Sequence, residues 1–104
     1  MNIQKMMKQA QKMQADLART QAELADRTVE ASAGGGKVTV TATCGGDVLK
    51  IKIAPEVVDP QDVEMLEDLV LSGVKLAIAK GREVAEAEMG KVTAGMGLPP
   101  GPGI

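Results

Sequence analysis

The 104-residue chain predicts an α+β fold, an α-β-β-β-α protomer with a three-stranded antiparallel sheet between two long helices. Residues 2 to about 26 are a run of Gln, Lys, Met, Ala, Leu and Glu, unbroken by Gly or Pro. From Thr28 to Ile53 the apolar residues alternate with polar ones and the run is cut twice by glycines. After Pro60 a spacing of three and four returns and lasts to Met89. The first and third patterns are helical, and the second is that of short strands joined by tight turns.

The opening run consists of good helix formers. Ile3, Met6, Ala10, Met13, Leu17, Thr20 and Leu24 follow one another at steps of three and four, a heptad seam of apolar and small residues. Gln4, Lys5, Lys8, Gln9, Gln11, Lys12 and Gln14 form the opposite face of the opening half, with no acid before Asp16. At about 1.5 Å per residue this helix approaches 40 Å, long for so small a domain, so part of it should project beyond the core. The seam suits a helical partner and the basic back suits a polyanion.

In the middle segment Val29, Ala31 and Ala33 alternate with Thr28, Glu30 and Ser32. Val38, Val40 and Ala42 alternate with Lys37, Thr39, Thr41 and Thr43. Leu49, Ile51 and Ile53 alternate with Val48, Lys50 and Lys52. Gly34 to Gly36 and Gly45-Gly46 supply the positive φ that hairpin turns require, so a meander with one apolar face is expected. Such a face needs a helix to cover it.

The second helix is expected to start with Asp59 as cap and Pro60 as first residue, with Asp62 and Glu64 near the positive end of its dipole. Val63, Leu66, Val70, Gly73, Ala77 and Val84 continue the periodic stripe, widened by Leu69, Leu71, Val74, Leu76 and Ile78. Gly73 and Gly81 either allow close backbone approach or are merely tolerated. The helix is expected to fail at Gly90. The division is therefore a single domain over residues 1–91 and a flexible Gly/Pro-rich tail over residues 92–104.

Composition excludes much. With no histidine, hydrolytic triads and His-bearing zinc sites are absent. Cys44 is the one cysteine, so no intrachain disulfide forms, and it reads as an inert small residue. An aromatic content of 0% removes base stacking as a mode of nucleic-acid contact. No nucleophile and base pair is visible, so an enzyme is not expected, nor a cofactor, metal or small-molecule substrate. Gly34-Gly35-Gly36-Lys37 resembles the end of a phosphate-binding loop, but Val38 stands where Ser or Thr is needed and a strand follows. No apolar run spans a membrane and no secretory leader is visible, so a cytosolic location is expected.

Charge is divided along the chain. The net charge is −2, yet residues 1–19 carry Lys5, Lys8, Lys12 and Arg19 against Asp16 alone. Residues 56–68 hold Glu56, Asp59, Asp62, Glu64, Glu67 and Asp68 with no base. Lys5, Lys8 and Lys12, at i, i+3 and i+7, form one helical row that can meet a phosphate backbone together. A solvated coiled-coil flank is the plainer explanation of the same row.

Four ordered stretches carry a resemblance over nearly the whole chain. They are Met6-Met7-Lys8-Gln9-Ala10-Gln11-Lys12-Met13-Gln14, the Val48 to Ile53 strand with Ala54-Pro55-Glu56, Glu64 to Val70, and Val92 to Met96 followed by Leu98-Pro99-Pro100-Gly101. Together they resemble the YbaB/EbfC family of bacterial nucleoid-associated proteins. The resemblance implies a tweezer-like homodimer whose protruding helices bind double-stranded DNA without a cofactor. The DNA-binding positions it implies are Lys5, Lys8, Lys12 and Arg19 on the first helix and Lys75, Lys80 and Arg82 on the last. Contact would be led by phosphates, hence salt-sensitive and weakly selective, with effects on nucleoid organisation and gene expression. A dimeric helical adaptor that docks other proteins without touching DNA is the alternative.

Overall fold

A computed structural model describes residues 2–95 in the order α1 (Ile3–Asp26), β1 (Thr28–Ala33), β2 (Val38–Thr43), β3 (Val48–Ile53), a short 3-10 turn (Pro55–Val57) and α2 (Val63–Gly95). The sheet is antiparallel throughout in the order β1-β2-β3. Thr28 pairs with Thr43 and Ala33 with Val38, so the small residues of β1 fall beside the valines of β2. On the other side Val38 pairs with Ile53 and Val40 with Ile51.

The alternation of β3 differs from the sequence expectation at one point. Thr41 pairs with Lys50 but Ala42 pairs with Val48, so Leu49 is the extra residue of a bulge and stands outside the regular in-and-out pattern. Leu49 is well exposed instead of continuing the Ile51 and Ile53 face.

Val38, Val40, Ala42 and Ala77 are fully buried and form the centre of the core. The helix α2 lies over β1 and β2, with Gly73, Ala77 and Gly81 as its buried stripe. A Cβ at Gly73 would stand 2.9 Å from Val40 Cγ2, and one at Gly81 would stand 3.0 Å from the Thr43 carbonyl oxygen. Both glycines thus let α2 approach a strand of its own chain, which answers why a helix interior tolerates them.

Both ends of α2 depart from expectation. The Asp59 carboxylate accepts the Gln61 N–H at 2.9 Å and holds a turn, which leaves Pro60 outside the helix. Asp62 caps instead, accepting from the Met65 N–H at 3.2 Å. At the other end the helix passes through Gly90 to Gly95, because open space surrounds Gly90 and its φ stays out of the left-handed region. The 1–91 boundary therefore falls within a helix. Residues 96–104 of the expected tail lie outside the described residues.

The helix α1 is capped by Asn2, whose Oδ1 accepts the Lys5 N–H at 3.1 Å. Its seam is graded from one end to the other. Leu24 and Thr20 are buried, Leu17 and Met13 are half-buried, and Met6 and Ile3 are exposed. Arg27, just past the end of α1, pairs with Glu88, and Lys12 shares a cleft with Gly95, so α1 and α2 run antiparallel. The opening turns of α1 form an arm on a molecule that measures 72 × 25 × 16 Å.

Among the described residues one face remains uncovered. The helix α2 scarcely touches β3, and β3 pairs with a described strand on one edge only. Ile53, Leu66, Val70, Leu71 and Val74 line an apolar groove of about 460 Å³ between them, and Val48, Leu49 and Ile51 are exposed nearby. No helix among the described residues is long and apolar enough to cross a membrane.

Candidate nucleic-acid interface

The arm positions its lysines by helical geometry alone. Lys5, Lys8 and Lys12 are exposed, and seven residues of helix span about 10 Å from the first to the last. None of the three takes part in an ion pair among the described residues. Glutamines and the exposed Ile3, Met6 and Met7 surround them, and the arm presents its ammonium groups without a compensating acid before Asp16.

Arg19 is differently placed. Its guanidinium lies 3.3 Å from Asp16 and 3.9 Å from Glu23, each one helical turn away. Arg19, Lys12 and Lys91 line a cleft of about 320 Å³ between α1 and the end of α2, together with Asp16, Glu23 and Glu88. Lys91 is not among the cations the sequence selects, because Gly90 predicts a helix end before it. Its place three residues after Glu88 on a continuing helix is the signal that would have revealed it.

Glu88 holds the two helices together. Its Oε1 accepts from Lys91 Nζ at 3.1 Å and lies 3.5 Å from Arg27 Nη1. The Lys91 hydrogen bond and charge, helped by Arg27, keep the Glu88 carboxyl below the ordinary glutamate value of 4.5.

The three cations of α2 divide in two. Lys75 and Arg82 stand seven residues apart on one exposed face, and neither forms an ion pair among the described residues. Lys80 donates to the Glu30 carbonyl oxygen at 2.9 Å and ties α2 to the free edge of β1. Arg82 lies about 20 Å along the helix from Gly95, the residue beside Lys12. The fold therefore sets Lys75 and Arg82 apart from the arm, and one protomer does not gather all seven sequence-selected cations into one patch.

No cluster of His, Cys, Asp or Glu among the described residues could hold a metal ion. Cys44 is buried beside Gly81. Lys37, after the glycine turn, pairs with Glu56 at 2.7 Å.

A family model described as the YbaB/EbfC DNA-binding family matches residues 1–96. The chain belongs to that family. YbaB/EbfC is a family of DNA-binding proteins and not of enzymes. Among the relatives is a nucleoid-associated protein from Akkermansia muciniphila, 53% identical over 104 residues and covering 100% of both chains. Another, a nucleoid-associated protein from Acetivibrio thermocellus, is 57% identical over 100 residues, which is 96% of this chain and 88% of the relative. The crystal structure of the uncharacterized protein HP0035 from Helicobacter pylori shares the fold at a TM-score of 0.62 and 17% identity, covering 75% of this chain and 90% of that one.

Proposed function

We propose that this YbaB/EbfC protein is a nucleoid-associated protein that binds double-stranded DNA as a homodimer, chiefly through phosphate contacts from its arm. The row of Lys5, Lys8 and Lys12, exposed and without an ion pair among the described residues, carries the reading; acids approach it only at the Lys12 end, where Asp16 shares its cleft. Three ammoniums on successive turns of a projecting helix meet phosphates with little desolvation and displace condensed counterions. Lys75 and Arg82 add a second cationic face, and Arg19 and Lys80 contribute less because each already has an intramolecular partner. Glutamines beside the row reach base edges only as adjustable donors and acceptors, so sequence preference is weak.

The uncovered face supports the second copy. A groove of about 460 Å³ with apolar walls, next to exposed Val48, Leu49 and Ile51 and a free strand edge, is surface that a monomer rarely leaves to water. A self-complementary contact there covers β3 in both copies and doubles the number of arms. Two arms offset the overall charge of −2 by concentrating cations where DNA approaches. The protein then resides on the nucleoid and affects its organisation and the expression of genes within it.

The test is a titration of the protein against a labelled random-sequence duplex at about 50 and 200 mM salt, with mass measured by light scattering. The expected result is a dimer whose affinity falls steeply with salt. Replacing Lys5, Lys8 and Lys12 by Gln is expected to leave the dimer intact and reduce the slope of log affinity against log salt by up to about five, since six charges leave the dimer. A folded dimer with no affinity for duplex would overturn the proposal in favour of an adaptor that docks proteins.

A further inference from the structure

The arm carries more than cations. Ile3, Met6 and Met7 are exposed at 67%, 53% and 57%, although they are large and apolar. Met6 and Met7 stand three and four residues beyond Ile3, so the three side chains make one contiguous patch. The fold of the protomer makes little use of them. The α1 seam becomes covered only from Met13 onward, and the described part of α2 reaches no further along α1 than Lys12.

Charge selects what covers the patch. Lys5 and Lys8 interleave with Ile3, Met6 and Met7, and no carboxylate precedes Asp16. A second arm would bring like charges to the same place. Interfacial lipid-binding helices carry their apolar face along several turns, whereas here Ala10 is the next seam residue and Met13 is already half-buried. Duplex DNA offers phosphates on the outside and apolar stacked bases within the groove they border.

We infer that Ile3, Met6 and Met7 form an apolar wedge that enters the minor groove and presses between base pairs, while Lys5 and Lys8 hold the flanking phosphates. Branched and thioether side chains serve as such wedges, and partial unstacking bends the duplex away from them. The inference rests on the proposal that the arm binds DNA and adds a contact that releases no counterions. Its contribution is therefore independent of salt, unlike that of the lysines.

The experiment uses the full chain and a short duplex labelled at both ends with a fluorescence-transfer pair, again at about 50 and 200 mM salt. The wild type is expected to shorten the end-to-end distance. Met6→Ala/Met7→Ala is expected to bind about tenfold more weakly at both salts, with the salt slope unchanged and the shortening lost. Alanine is the strongest helix former, so circular dichroism should report an intact fold. Met6→Leu/Met7→Leu, which restores apolar bulk, is expected to recover both affinity and shortening. A wild type that binds and an Ala variant of equal affinity and equal shortening overturn the wedge and leave phosphate binding standing. A wild type that binds no duplex overturns both. Loss of binding to phosphatidylserine vesicles in the Ala variant, with duplex affinity unchanged, assigns the patch to a lipid surface and overturns the wedge.

Discussion

Gly81 of α2 faces the backbone of Cys44: a Cβ at Gly81 would stand 3.2 Å from Cys44 Cα and 3.0 Å from the Thr43 carbonyl oxygen. Backbone at the end of a strand cannot swing aside as a side chain tip can. Gly81→Ala gains about 1 kcal/mol of helix propensity but must force α2 off the sheet, which costs more. A net loss of about 1–2 kcal/mol is expected, read as a lower urea midpoint. Gly90→Ala is the control. Nothing lies within 4 Å of its would-be Cβ, so the same exchange should stabilise by about 0.5–1 kcal/mol.

The core and the open face respond differently to substitution. Val40 is fully buried under α2, so Val40→Ala should cost about 2 kcal/mol and leave the solution mass unchanged. Ile51, the cross-strand partner of Val40, is 41% exposed at the uncovered face. Ile51→Lys should leave the protomer folded, since the ammonium can reach water there. It should convert the proposed dimer to a monomer, because a contact between two copies would desolvate that charge. Light scattering together with circular dichroism separates the two outcomes.

Glu88 predicts how the junction of the two helices depends on pH. Its carboxyl is held below the ordinary value by Lys91 first and Arg27 second. A group with a depressed folded pKa contributes stability above its unfolded value, and that stability is lost as pH falls through the folded pKa. Glu88→Gln should therefore be less stable than wild type at neutral pH, and the gap should close as pH drops below the glutamate range. Urea midpoints measured from neutral pH to below pH 4.5 check the sign. Because the carboxylate is partly exposed, added salt should narrow the gap at neutral pH.

The elements were legible in the sequence because each has its own hydrophobic period. Alternation in Val38, Val40 and Ala42 appears in the structure as read, as does an α1 part of which projects beyond the core; the graded burial of its seam is visible only in the structure. Boundaries were less legible because local chemistry offered two solutions. Asp59 and Asp62 are equally able to cap, and the choice fell to Asp62 once Asp59 had engaged Gln61. Gly90 reads as a stop, yet a glycine with no packing demand simply continues the helix. Within the candidate site, exposure of the lysines followed from helical spacing. The engagement of Lys80 did not, since its partner is a carbonyl 50 residues away in the chain.

That difference separates the cations into two groups with different expected effects on DNA. Lys75 and Arg82 are exposed on one face of α2 and have no ion-pair partner among the described residues. Lys80 would have to leave the Glu30 carbonyl to reach a phosphate, and Arg19 would have to leave Asp16 and Glu23. Charge removal at Lys75 and Arg82 should therefore reduce the salt slope by up to about two per protomer and weaken binding to all sequences alike. Lys80→Met should change the slope by less than one per protomer and instead loosen α2 from β1, seen as faster amide exchange in β1. Arg19→Gln should resemble Lys80→Met in its small effect on DNA, with the loss falling on the α1 surface pairs, which contribute little to stability. A slope that fell equally for every one of these variants would mean that the intramolecular partners are given up on binding, and that all four side chains reach the phosphates.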